Sequence, residues 1–267
     1  MLEKLKENAV FKAVCALLLF ESLSFLIVRV LECLGFVPAD NLSWFIYEVL
    51  RVGLPAVGLA VLFKTFTVLR SPLKGLGRSL ICSLWFFLFC GVGIFSHLGD
   101  IADYKSAPQI VCFFLFALSV GFSEELLHRG IITEVLIRKY GDSTKGKLFS
   151  IFFGSFIFSI FHLGNLLCGQ SLENTLIQML SVFFCAIFLN TIYIKYRNVY
   201  AMMLIHAYLD FVSLFDFGMS SGLTISDNFT SGSKSSLRNV IGCCILYLIA
   251  SVVIFAVTNR KGGKKDV

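Results

Sequence analysis

The chain has 267 residues, of which 57% are hydrophobic, only 15% are charged and 29 are phenylalanine. An ordinary soluble domain carries nearer ~25% charged residues, so this composition excludes a soluble globule and indicates a polytopic membrane protein. The formal charge of +6 is distributed between loops in a way that reports membrane topology, and a nucleic-acid partner is not expected.

Apolar runs recur along the chain, most of them near the ~20 residues that span a bilayer as a helix. They fall at about 9–34, 43–66, 79–98, 108–137, 148–164, 174–194, 199–217 and 237–258. The expected fold is therefore all-α: a polytopic transmembrane helical bundle of about eight spans, in one integral membrane domain over 1–267. The first run follows Lys4, Lys6 and Lys12 and continues past Ile27 without a small-x-small cleavage site, so it reads as a span and not a cleaved signal. Glu21, Arg29, Glu48 and Arg51 lie in the first two spans. Arg51 follows Glu48 by three residues, so the two can meet on one helix face. For these four, pairing or snorkelling near a helix end is the expected role. His97 closes the third span beside Gly99 and Asp100 and reads as interfacial. The Gly/Ser-rich stretch 218–236 reads as an external loop, and GGKKDV as a short basic tail.

Basic residues gather in alternate loops: Lys64, Arg70, Lys74 and Arg78; Arg138, Lys139, Lys145 and Lys147; Lys195 and Arg197; and Arg260, Lys261, Lys264 and Lys265 after the last span. The intervening loops hold Lys105, Lys234 and Arg238. By the positive-inside rule both termini are cytoplasmic, as an even number of spans requires. The nine cysteines are scattered, mostly within spans, with no CxxC pair, so neither a disulfide framework nor a structural zinc site is expected. No internal repeat appears and only Pro55 interrupts a span, which weighs against a transporter of repeated, broken helices.

The fourth span carries VGFSEELLHRGII after an almost wholly apolar run from Ile110 to Phe122. Ionisable groups at membrane depth cost about 2.5–3.5 kcal/mol each even on the lenient insertion scale, so they point to function. Glu125 and Arg129 are one helical turn apart and can pair, as can Glu124 and His128. A carboxylate locked to arginine holds geometry, while its neighbour, about 100° around the helix, can face a cavity and act as a general base. The fifth span ends FIFSIFHLGN, with Phe158 and His162 on one face. The seventh holds MLIHAYLDF, where His206 and Asp210 project together, a geometry that orients an imidazole tautomer or holds a metal or water. At ~1.5 Å per residue, Glu124 lies roughly 22 Å from Lys139, His162 roughly 22 Å from Lys147, and His206 and Asp210 roughly 13 and 20 Å from Arg197. Three helices thus place polar groups in one slab of membrane, around a cavity expected to open to the cytoplasm. A bare salt bridge, a packing histidine and a His–Asp link between helices are the structural alternatives.

The ordered set EELLHR (Glu124–Arg129), FSIFH (Phe158–His162) and HAYLD (His206–Asp210) resembles the EExxxR, FxxxH and HxxxN/D motifs of the CPBP family, the CAAX protease and bacteriocin-processing (Abi/Rce1-like) intramembrane proteases. The resemblance covers about residues 110–215, within a catalytic core of about 108–217. It implies a membrane-embedded endopeptidase that hydrolyses peptide bonds with a Glu/His-activated water or metal. Glu124 would activate the water with His162, Glu125 and Arg129 would hold that glutamate, and His206 with Asp210 would line the oxyanion side of the scissile carbonyl. If a divalent metal such as zinc takes part, Glu124, His162 and His206 are the implied ligands. The Rce1-like proteases have asparagine at the position of Asp210. Ionised aspartate cannot donate to an oxyanion, so Asp210 must be protonated, orient His206 or bind a metal. The implied substrate is a peptide or protein, membrane-associated or prenylated as for the relatives, and the implied location is a bacterial cell membrane. Two other readings are weighed: a non-catalytic bacteriocin self-immunity factor or scaffold, and a proton-coupled carrier with a Glu/His relay.

Overall fold

The computed structural model describes residues 8–70, 75–99, 101–231 and 237–261. Lys4, Lys6, Pro72, Lys74, Asp100, the end of the Gly/Ser-rich loop at 232–236 and the tail after Lys261 lie outside the described residues. In chain order the helices are α1 (Ala9–Cys33), α2 (Asn41–Leu62), α3 (Leu76–Cys82), α4 (Leu84–Leu98), α5 (Ala107–Tyr140), α6 (Thr144–Phe161), α7 (Leu172–Tyr196), α8 (Val199–Ser213), α9 (Phe215–Met219), α10 (Ile225–Ser231) and α11 (Leu237–Lys261). The fold is all-α, and among the described residues the only β pairing is an isolated bridge between Tyr104 and Ser220. Six helical segments are long and apolar enough to cross a membrane: α1, α2, α5, α6 with its 3-10 extension, α7 and α11. The other two apolar runs are shorter as helices. The third divides into α3 and α4 at Ser83, whose hydroxyl donates back to the Ser79 carbonyl at 3.0 Å, a bond that competes with the helical ladder. The seventh is the 15-residue α8.

Helices in a bilayer associate through close packing and internal hydrogen bonds, because lipid tails are as apolar as the side chains they would replace. On α1, Ala9, Ala13, Ala16 and Phe20 recur at helical spacing and are buried, while Leu18, Leu19 and Leu26 are exposed on the outer surface. Helix α5 is central and packs against α8, α2 and α7. Its closest approach is at Gly121, where an added Cβ would lie 2.5 Å from the Met203 carbonyl oxygen and 2.7 Å from the Ala207 nitrogen. Only glycine lets the α5 and α8 backbones touch there, and this contact sets their register one turn from Glu124 and His206.

Buried polar side chains are matched between helices. Asn190 of α7 accepts from Thr133 of α5 at 3.1 Å and donates to Ser155 and the Ile151 carbonyl of α6 at 2.9 and 3.3 Å. Both α2 and α5 contain a π-helical turn, at Val49–Gly53 and His128–Thr133. Such turns break the helical register and often occur at functional sites.

The loops gather at two ends of the bundle. At one end, the Tyr200 hydroxyl donates to the Leu69 carbonyl at 2.5 Å, Gly75 lies against the Tyr196 backbone, and Arg138 and Arg197 both reach Glu134. This end joins the connections after α2, α5 and α7, which carry Lys64, Arg70, Arg138, Lys139 and Arg197. At the other end, Asn41 donates to the Gln109 and Gly218 carbonyls at 2.8 and 2.9 Å. Lys105 there donates to the carbonyls of Phe217 and Leu223 at 2.6 and 2.8 Å. Burial pulls its ammonium below the usual lysine range, opposed by Asp227 and Asp40. This end joins the connections after α1, α4 and α8.

Candidate active site

The fourth-span cluster is built by α5 and completed by α8. Glu125 and Arg129 are both 0% exposed, and the Arg129 guanidinium donates to Glu125 Oε1 at 2.6 Å across one turn, as their spacing predicts. The same oxygen lies 2.8 Å from His206 Nδ1. The arginine-locked glutamate therefore orients the imidazole of another helix, a link that spacing within one helix does not reveal. With Nδ1 held there, His206 Nε2 faces Asp210 Oδ2 at 3.4 Å and Glu124 Oε2 at 3.7 Å. Two carboxylates converge on one ring edge; with Nδ1–H donated to Glu125, the neutral ring presents an Nε2 lone pair there and the imidazolium a proton.

Phe158 is the hub of the aromatic wall. The Arg129 guanidinium stacks over its ring at 4.7 Å, and the rings of His206 and His128 meet it at 5.7 and 4.4 Å. Its carbonyl lies 3.0 Å from His162 Nδ1. A carbonyl only accepts, so Nδ1 carries the proton and the His162 Nε2 lone pair can accept from another donor. His128, next to the motif glutamates, packs against Phe158 and Phe161 and makes no hydrogen bond among the described residues.

Glu124, His162, His206 and Asp210 line one cavity of about 1130 Å³, with Glu125 and Arg129 behind its wall. Glu21, Glu48 and Arg51 line the same cavity. The sequence assigned these three to pairing or snorkelling. The Glu48–Arg51 pair does form, at 3.1 Å, but it forms inside the site. Glu48 is 2% exposed and shares the cavity with Glu124 and Asp210. The signal that could have found it is the one that found Glu124, a carboxylate inside an apolar helix. Glu48 Oε1, Glu124 Oε2 and Asp210 Oδ2 are buried and accept no hydrogen bond among the described residues. Buried polar atoms without partners are rare and mark places where another molecule is accommodated.

The implied ligand set Glu124, His162 and His206 shares one cavity. With its Nδ1 proton donated to Glu125, the neutral His206 ring keeps an Nε2 lone pair on the cavity side, beside Glu124 and Asp210. Among the described residues no three His, Cys, Asp or Glu side chains form a metal-holding group.

The cavity also shows which way the site opens. Its lining includes Val37, Pro38, Gln170, Asp216, Phe217 and Ser226, all at the end of the bundle opposite the basic loops. The expectation of a cavity open to the cytoplasm and that of cytoplasmic basic loops therefore cannot both hold. Roughly 22 Å along a helix from the basic end lies past the middle of a ~30 Å hydrocarbon core, so depth counted that way does not place the site nearer the basic end.

Residues 106–212 match the family described as type II CAAX prenyl endopeptidase Rce1-like. No curated protein and no solved structure matches the chain. The match runs from just before α5 to the last turn of α8 and contains all three motifs, while α1 and α2, with Glu21, Glu48 and Arg51, lie outside it. The segment that carries Glu124, His162, His206 and Asp210 is thus similar to an Rce1-like domain.

Proposed function

We propose that the protein is an intramembrane endopeptidase that hydrolyses peptide bonds with a water activated by Glu124. One observation carries this: Glu124 and Asp210 meet the Nε2 edge of a histidine whose other nitrogen is anchored by the buried Glu125–Arg129 pair, at the wall of a cavity. Such preorganised polar groups in a low-dielectric site act on developing charge far more strongly than in water.

In this scheme water is held between Glu124 and the His162 Nε2 lone pair. Glu124 takes one proton as the water oxygen attacks the scissile carbonyl carbon. The proton between His206 Nε2 and its two carboxylates is offered to the carbonyl oxygen as it becomes an oxyanion. When the carbon–nitrogen bond breaks, the leaving amine takes up the proton held by Glu124, and the products are a carboxylic acid and an amine. Asp210 keeps His206 turned to the cavity. Glu125 and Arg129 do not touch substrate and act as positioning residues. No step is assigned to a metal.

The substrate is a peptide or the chain of a membrane-associated protein. The test is cleavage of a quenched-fluorescence peptide library by purified protein in lipid nanodiscs. Glu124→Gln is expected to abolish cleavage while the protein remains folded; full activity in that variant would sink the proposal.

A further inference from the structure

The basic loops and the mouth of the cavity lie at opposite ends of the same bundle. The basic end is fixed by contacts between loops far apart in sequence: Tyr200 with Leu69, Gly75 with Tyr196, and Arg197 with Glu134. The opposite end is fixed independently by Asn41 with Gly218 and by Lys105 with Phe217 and Leu223. Apart from Arg29, which pairs with Glu32 at 2.6 Å, the described cations at or beside that end are Lys105 and Arg238. Lysine and arginine in short loops hold those loops on the cytoplasmic side during insertion, and carboxylates contribute little to this bias.

From this juxtaposition we infer that the cavity opens to the non-cytoplasmic face of the membrane and takes its substrate from there. The substrate class is an exported peptide, or the outer juxtamembrane segment of a membrane protein, and not a chain presented from the cytosol. The cavity reaches Pro38, Gln170, Phe217 and Ser226 at its mouth and Glu124 and His206 at its depth, so a segment entering from outside meets the reactive carboxylate without crossing the bundle. The lining suits that role chemically. Glu21, Glu48, Glu124 and Asp210 face the space with Arg51, so neutral or cationic segments are favoured over anionic ones. The sidedness rests on loops and contacts alone; the substrate class rests in addition on the endopeptidase reading.

Two exposed positions report the sides: Ser221 at the cavity end and Asp142 at the basic end. Single variants Ser221→Cys and Asp142→Cys would be treated on intact cells with a membrane-impermeant maleimide, against the parent chain as background for its native cysteines. The expected result is labelling of Ser221→Cys on intact cells and of Asp142→Cys only after permeabilisation. The reverse pattern, or labelling of both on intact cells, overturns the inference. A third variant, Gln170→Cys, places a thiol on the cavity lining itself. A charged, impermeant methanethiosulfonate added outside should modify it and block cleavage of an externally added peptide. Modification only after permeabilisation would overturn outward opening even if the loops are placed as inferred. These labelling readouts do not depend on catalysis. Outward labelling without cleavage of any peptide would sink the endopeptidase reading and leave the sidedness intact, whereas inward labelling with cleavage would do the opposite.

Discussion

Helix α5 carries two buried acidic centres ten residues apart, and they are built in opposite ways. At the basic end, Glu134 has both oxygens used: Oε1 accepts from Arg138 at 2.8 Å, and Oε2 accepts from Tyr193 at 2.9 Å and Arg197 at 2.5 Å. At the cavity, Glu124 has a buried oxygen that accepts no hydrogen bond among the described residues and faces a histidine at 3.7 Å. A satisfied carboxylate holds helices together, whereas an unsatisfied one lowers stability and is kept for another purpose. The contrast separates structure from chemistry on one helix more sharply than burial, since both glutamates are buried.

The strongest way to break the comparison is to neutralise each glutamate in turn. Glu124→Gln should lower cleavage by about 10²–10⁴-fold, the usual worth of a general base, with an unfolding midpoint equal to or above that of the parent. Glu134→Ala should retain the chemistry but lower stability, because the Tyr193 hydroxyl loses its buried acceptor at a cost of roughly 1–3 kcal/mol. Thermal unfolding in detergent and peptide cleavage, measured on the same preparations, check both. If Glu124→Gln destabilises and Glu134→Ala inactivates without unfolding, the assignments are reversed.

The next effect probes register rather than charge. Gly121→Leu forces α5 away from the Met203 and Ala207 backbone, and a displacement of ~1 Å at reacting groups costs about 10²-fold in rate. Gly58 has nothing within 4 Å of its would-be Cβ, so Gly58→Ala serves as the control and should leave kcat/KM unchanged.

Smaller effects sharpen the roles around His206. Asp210→Ala should lower kcat roughly tenfold, by analogy with other orienting groups. Asp210→Asn should recover most of it, because an amide can both accept and donate at that edge. Equal loss in both variants would mean that the charge of Asp210, and not its hydrogen bonding, is what the site uses. Glu48→Gln should change KM more than kcat, by a few-fold, since Glu48 lines the cavity without contacting His206 in any bond of the site.

Much of this was legible in the residues. The apolar runs fixed an all-helical membrane fold, and the pairs Glu125–Arg129 and Glu48–Arg51 followed from helical spacing alone. The different surroundings of Glu124 and Glu125, one on the cavity and one on Arg129, also followed from spacing, because neighbours on a helix diverge by about 100°. What could not be read is set between helices. The Glu125–His206 bond joins residues 81 apart in sequence. Gly121 looked like any glycine in an apolar helix until α8 was placed against it. The side on which the cavity opens depends on which loops meet, and depth along a single helix does not encode it. Glu48 was assigned to a salt bridge correctly but incompletely, because a pair can stabilise a helix and line a site at once.

The smallest expected effect is none. Metal ligation by Glu124, His162 and His206 needs a lone pair on each imidazole directed at one point. His162 has one, since its Nδ1 proton goes to the Phe158 carbonyl. His206 has one on Nε2 when neutral, since its Nδ1 proton goes to Glu125. Among the described residues, however, no three His, Cys, Asp or Glu side chains form a metal-holding group. Protein stripped by chelation and dialysed should therefore cleave within about twofold of the untreated protein, a difference of ~0.4 kcal/mol in barrier. The same measurement on Glu125→Gln separates the possibilities further. Lower cleavage with unchanged chelator insensitivity in that variant is expected if Glu125 only orients His206. Stoichiometric metal and full chelator sensitivity in the parent would instead show that Glu124, His162 and His206 close on a cation in the working enzyme.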